Sequence, residues 1–109
     1  MSNGWIGVDL DGTLANYNVW VNASYIGEPV PLMLKRVKKW IADGKDVRIF
    51  TARVSITNPG KTDAYVAIRD WCEKYIGIKL QITSEKDHEM IELWDDRCVR
   101  VETNTGKKL

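Results

Sequence analysis

Two carboxylates with one residue between them stand where an apolar run stops: Ile6-Gly7-Val8 leads straight into Asp9-Leu10-Asp11-Gly12-Thr13-Leu14. A carboxylate taken out of water is costly unless it is hydrogen-bonded, paired or bound to a cation. Two together also repel one another. A second acidic pair, Asp95-Asp96, follows the stretch Met90–Trp94, apolar except for Glu92, and precedes Arg97. Several carboxylate oxygens at one point suit a hard cation, and Mg²⁺, which keeps some of its waters, needs few protein ligands. With one histidine and two scattered cysteines, the chain offers no zinc ligand set. A calcium loop is excluded because Gly12 is fourth from Asp9 rather than sixth, and the twelfth position is Trp20 rather than Glu.

Beside such a cation a carboxylate can attack an electrophile. Hydroxyls and cations would hold the remaining oxygens of the transferred group. These are the parts that phosphoryl transfer requires. Thr51, Arg53, Lys86 and Arg97 are the hydroxyl and the cations in suitable places.

Elements that bring these residues together can be read from periodicity. Trp5–Leu10 is a near-continuous apolar run, the pattern of a strand covered on both faces. Residues from Pro31 to Gly44 carry apolar positions at helical spacing, with Lys35, Arg36, Lys38 and Lys39 on the other side. Val47–Thr51 reads as a strand, and a helix capped by Thr62 is expected to run to Gly77. Strands are expected at 78–82, 90–94 and 98–101, with a short turn or helix over Ser84–Glu89. Alternating strands and helices predict one α/β domain, Rossmann-like and three-layered, with a mainly parallel sheet of about five strands. Ligands of such sheets bind beyond the carboxyl ends of the strands. Asp9-Asp11, Thr51-Arg53, Thr83-Lys86 and Asp95-Arg97 all fall there.

Together these residues resemble the haloacid dehalogenase-like (HAD) hydrolases. Their first motif is matched in full by Asp9-Leu10-Asp11-Gly12-Thr13-Leu14; Thr51 fits the second, Lys86 is the candidate for the third, and Asp95-Asp96 fits the fourth. The resemblance covers about Trp5–Val101. It implies that Asp9 is a nucleophile forming an aspartyl-phosphate, that Asp11 is its acid and base, and that Thr51 and Lys86 hold the phosphoryl group. Mg²⁺ would sit among Asp9, Asp11 through its backbone carbonyl, and Asp95 or Asp96. Gly12, Thr13, Arg53 and Arg97 are expected around the substrate. Asp at position 11 points to phosphatases rather than dehalogenases.

The chain of 109 residues leaves no room for the separate cap domain that many relatives of this kind carry. The segment 15–31 is a candidate flap, with Trp20 as a substrate-facing aromatic, and 103–109 reads as a tail. The expected partner is a phosphorylated substrate, either a small molecule or a macromolecular end. Homo-oligomerisation is compatible with the absence of a cap. A net charge of +1 gives no general pull towards nucleic acid or membrane. A polynucleotide-end phosphatase guided by the basic helix, and a non-catalytic phosphate- or nucleotide-binding module, are the alternatives. No apolar run reaches membrane-spanning length, and Met1–Trp5 does not read as a signal peptide, so a cytoplasmic location is expected.

Overall fold

The computed structural model describes residues 4–109. Four strands, β1 (Trp5–Asp9), β2 (Asp46–Phe50), β3 (Gln81–Thr83) and β4 (Met90–Trp94), form one parallel sheet in the order β3-β2-β1-β4. Helix α1 (Pro31–Ala42) joins β1 to β2, and α2 (Lys61–Tyr75) joins β2 to β3. Pro31 opens α1 at a position whose N–H would have no helical partner anyway. Met33 and Val37, four residues apart, form the buried stripe of α1, and Ala64, Ile68, Trp71 and Cys72 form that of α2. The second helix starts at Lys61, just ahead of Thr62, and no side chain caps it. Instead the Asn58 side-chain oxygen accepts the Gly60 N–H at 3.0 Å.

Pairing sets Ile6 beside Val47, Val8 beside Ile49, and Ile49 beside Ile82, so these side chains share one face. They join Met33, Val37, Ala64, Ile68, Trp71 and Cys72 in a single core. Both crossovers step in the same direction along the sheet, and right-handed crossovers then put both helices on that face. The opposite face carries Trp5, Arg48 and Phe50. Arg48 lies 4.7 Å above the Trp5 ring, and the Trp5 and Phe50 rings are 6.5 Å apart.

This arrangement corrects the expected architecture. The α/β class and the parallel sheet hold, but the described residues form four strands rather than about five, and their helices cover one face rather than two. The second face is crossed by the loop 84–89, which carries the chain from β3 to β4. Trp5 Nε1 donates to Asp87 Oδ1 at 2.8 Å, the Trp5 N–H donates to the Glu89 carbonyl at 2.8 Å, and Trp5 is left 1% exposed. The stretch 98–101 does not enter the sheet. Val101 instead bridges Lys108, and the Leu109 N–H donates to the Arg100 carbonyl, so 103–109 folds back as a small hairpin. Among the described residues no helix is long and apolar enough to cross a membrane. Both cysteines are free; Cys72 is in the core, where burial pushes its thiol up to about 12.

The segment 15–31 forms a loop pinched at its base. Ala15 bridges Pro29, the Asn16 N–H donates to the Glu28 carbonyl at 2.8 Å, and the Val30 N–H to the Leu14 carbonyl at 2.7 Å. Trp71 Nε1 donates to the Gly27 carbonyl at 2.9 Å, tying the stem to α2. A compact loop with adjoining ends is an Ω-loop. A Cβ at Gly27 would stand 2.1 Å from the Asn16 carbonyl oxygen, a backbone atom that cannot step aside alone. Gly27→Ala is therefore expected to open the stem and destabilise the protein by about 1–3 kcal/mol. Urea unfolding measures it, and a change below about 0.5 kcal/mol would mean that the stem yields freely.

Candidate active site

From β1 the chain steps through β2 to β3, then returns to place β4 on the other side of β1. The strand order therefore reverses between β1 and β4, where open parallel sheets form their binding crevice. Asp9 ends β1, and Asp95-Asp96 follow β4. One carboxylate oxygen from each of Asp9, Asp95 and Asp96 lies within 4.8 Å of the others.

The turn after β1 is built by two leucines. Leu10 and Leu14 are fully buried, and the Leu10 carbonyl accepts N–H groups from Thr13, Leu14 and Ala15. With those anchors inward, Asp11 and Thr13 are left partly exposed. Gly12 adopts φ +91°, and a Cβ there would meet the Asp96 carboxylate at 2.7 Å. Glycine is needed for both reasons. The Thr13 hydroxyl lies 3.2 Å from Asp9 Oδ2 and 3.1 Å from Asp96 Oδ1, and it accepts the Asp96 N–H at 3.0 Å. Its single proton serves one carboxylate at a time.

Crowding of the acids has an electrostatic result. Burial, the hydrogen bond to Asp96 and the charge of Asp95 push the Asp9 carboxyl up to about 7. For Asp96 burial pulls upward, but hydrogen bonds from Asp9, Thr13 and its own backbone N–H outweigh it and hold the group low. Below about pH 7 the pair therefore retains a proton in the absence of a cation. A divalent ion would take the place of that proton. Three carboxylates and no nitrogen or sulfur donor fit a hard cation such as Mg²⁺. The Asp11 side chain is not in this cluster.

A cleft of about 440 Å³ opens over the acids, lined by Asp9, Asp11, Thr51, Arg53, Asp95, Asp96 and Arg97 with Tyr17, Trp20, Phe50 and Asn58. Thr51 is 3% exposed; its oxygen accepts the Arg53 N–H at 3.2 Å, capping the one-turn 3₁₀ segment Ala52–Val54. Arg97 is exposed and makes no ion pair within 4 Å among the described residues, although its charge helps to keep Asp96 low.

Three expectations change. Lys86 does not line the cleft: it is exposed in the loop 84–89, next to Asp87, which is bonded to Trp5 at the opposite, amino end of β1. A six-residue connection that must cross to the other sheet edge leaves the rim at once. Gly12 and Thr13 build the acidic cluster rather than line the substrate space, and their N–H groups are spent on the Ala15 and Leu10 carbonyls. Arg53 lines the cleft, but it is 6% exposed and tied to Asp11, with Nε–Oδ2 at 2.7 Å and Nη2–Oδ1 at 3.0 Å. On α1, Lys39 pairs with Asp43 and Arg36 lies over Trp94, and none of its four basic residues reaches the cleft. Tyr17 and Asn58 were not anticipated as cleft residues. An Asn in the loop after a strand end was the available signal for Asn58.

The domain thus belongs to the class of parallel α/β folds with an acidic crevice at the switch point. Among solved structures, a conserved protein from Bacteroides thetaiotaomicron superposes with a TM-score of 0.57 at 19% identity, over 86% of this chain and 76% of that one. The likeness is one of fold. No protein-family model matches the sequence, and no curated protein matches it significantly.

Proposed function

We propose that this chain is a Mg²⁺-dependent phosphohydrolase that cleaves a phosphate monoester through an aspartyl-phosphate on Asp9, in the manner of the HAD hydrolases. The observation that carries the reading is the meeting of Asp9, Asp95 and Asp96 within 4.8 Å at the switch point of the sheet. Asp9, Asp95 and Asp96 would hold the ion, which when bound neutralises charge on the transferring group and keeps Asp9 ionised.

The Asp9 carboxylate attacks phosphorus in line, and the bond from phosphorus to the ester oxygen breaks. Asp11, which must first leave its two bonds with Arg53 and take up a proton from solvent, gives that proton to the departing oxygen, then takes one from the water that attacks the acyl phosphate. Inorganic phosphate leaves and Asp9 is restored. The Thr51 hydroxyl donates to a phosphoryl oxygen; its proton is not spent on any acceptor among the described residues. Arg97, unpaired at the mouth, attracts the dianion and takes the place expected of Lys86.

Phosphate release is to be measured from p-nitrophenyl phosphate, phosphorylated metabolites and oligonucleotides with terminal phosphates, with Mg²⁺ or with EDTA. Release that requires the metal is expected. No release from any of them while Mg²⁺ still binds would replace this reading with a non-catalytic phosphate-binding module.

A further inference from the structure

Arg53 is a buried guanidinium with more bonds than a substrate contact needs. Four of its five N–H groups are spent: Nε and Nη2 on the two oxygens of Asp11, and Nη1 on the carbonyls of Asn22 at 3.3 Å and Ala23 at 3.1 Å. Its Cζ lies over the Trp20 ring, 4.8 Å from the centroid. Its own carbonyl accepts from the Asn58 side chain, and Asn58 also holds the Gly60 N–H. Gly60 in turn faces Ala23, where an added Cβ would come within 2.9 Å of the Ala23 Cβ. One side chain thus joins the turn after β1, the loop after β2 and the crown of the Ω-loop.

We infer that Arg53 is a positioning residue that fixes Asp11 and the flap 15–31 as a single unit. The inference rests on the proposed function for the role of Asp11, but not for the hold on the flap. Tyr17 and Trp20 of the flap line the cleft, and a second cavity of about 340 Å³ against the flap shares Asp11, Tyr17 and Arg53 with it. A planar fork is suited to such a junction, because it holds a carboxylate with two parallel bonds while its charge lies over an indole. A lysine keeps the charge but has neither the fork nor the face. While both Asp11 oxygens accept from Arg53, the carboxylate is turned to the flap side of the cleft. Entry of a substrate anion competes for the same guanidinium, which couples the release of Asp11 to a filled cleft.

The test compares Arg53→Met and Arg53→Lys with the unsubstituted protein in two ways. Hydrogen exchange without substrate reads the flap. Backbone amides within 17–26 should exchange at least about tenfold faster in both variants, with α1 and the sheet unchanged. The kcat/KM values for an alkyl phosphate and for p-nitrophenyl phosphate read Asp11, because only the alkoxide strongly needs a proton to leave. The alkyl ester should lose about 10²-fold and the nitrophenyl ester less than about tenfold. Equal losses on the two esters, unchanged flap exchange, or full rescue by lysine would each overturn the inference. If Arg53→Met does not fold, Arg53→Lys carries both readouts. If the unsubstituted protein cleaves neither ester, the proposed function fails and the exchange measurement alone decides the hold on the flap.

Discussion

Asp9→Asn should abolish metal-dependent phosphate release, by about a thousandfold or more, and yet make the metal-free protein more stable at pH 8. The first half follows from the loss of the attacking oxygen: an amide at the end of β1 keeps the shape but cannot form the acyl phosphate. The second half follows from the crowding of the acids. The Asp9 carboxyl is raised from 3.8 to about 7 in the fold, first by burial and then by Asp96 and Asp95. A raised carboxyl holds its proton more tightly folded than unfolded, so stability falls as pH rises between about 4 and about 7. Outside that window the group contributes no slope.

At pH 8 the full penalty is present in the unsubstituted protein and absent from the Asn variant. With allowance for solvent screening of a partly exposed group, the gain should be about 1–3 kcal/mol. Mg²⁺ should return that stability to the unsubstituted protein and return little to the variant. Urea unfolding from pH 4 to pH 8 in EDTA, repeated with Mg²⁺, measures all of this. A variant less stable than its parent at pH 8 would mean that the acids are not in conflict, and the case for a cation among them would go with it.

Gly12→Ala carries the second large effect. Position 12 sits at φ +91°, where an L side chain is strained, and the new methyl would meet Asp96 Oδ2 at 2.7 Å. Backbone strain alone should cost about 1–3 kcal/mol. The carboxylate must also move, and Thr13, which bonds to Asp96 through both its donor and its acceptor, must move with it. Mg²⁺ affinity, measured calorimetrically, should fall by about tenfold or more, in the range seen when groups that orient metal ligands are changed. Unchanged affinity would show that Asp96 is not one of the ligands and would leave Asp9 and Asp95 to hold the ion.

What could be read ahead of the fold was whatever depends on strand ends. Asp9, Thr51 and Asp95 each follow an apolar run directly, and in a parallel sheet that position alone carries them to one rim. The alternation of strands and helices yielded the α/β class for the same reason. Lys86 failed because it stands three residues past its strand, and the path of a short connection depends on which edge the next strand occupies. That choice lies in the packing of Trp5, Arg48 and Asp87, three residues far apart in sequence. The number of layers failed likewise. Trp5–Val8 is apolar throughout, which reads as cover on both faces, yet its second cover is one indole under a loop rather than a helix. Arg53 was visible as a cation at the rim. Its partner was not, because Asp11 lies forty-two residues away and the bonds to Asn22 and Ala23 depend on the course of the flap.

Among the described residues strand β4 pairs only with β1, and its side chains Ile91 and Glu92 are exposed. An edge strand so thinly buried can open locally without the rest of the sheet. Its pairing also joins the most distant parts of the sequence, a contact that chain entropy makes slow to form. The site is built across that seam, with Asp9 on one side and Asp95 and Asp96 on the other. A cation bound there would act as a clasp on the last strand to arrive, so the rate at which β4 frays would set the rate at which the ion escapes.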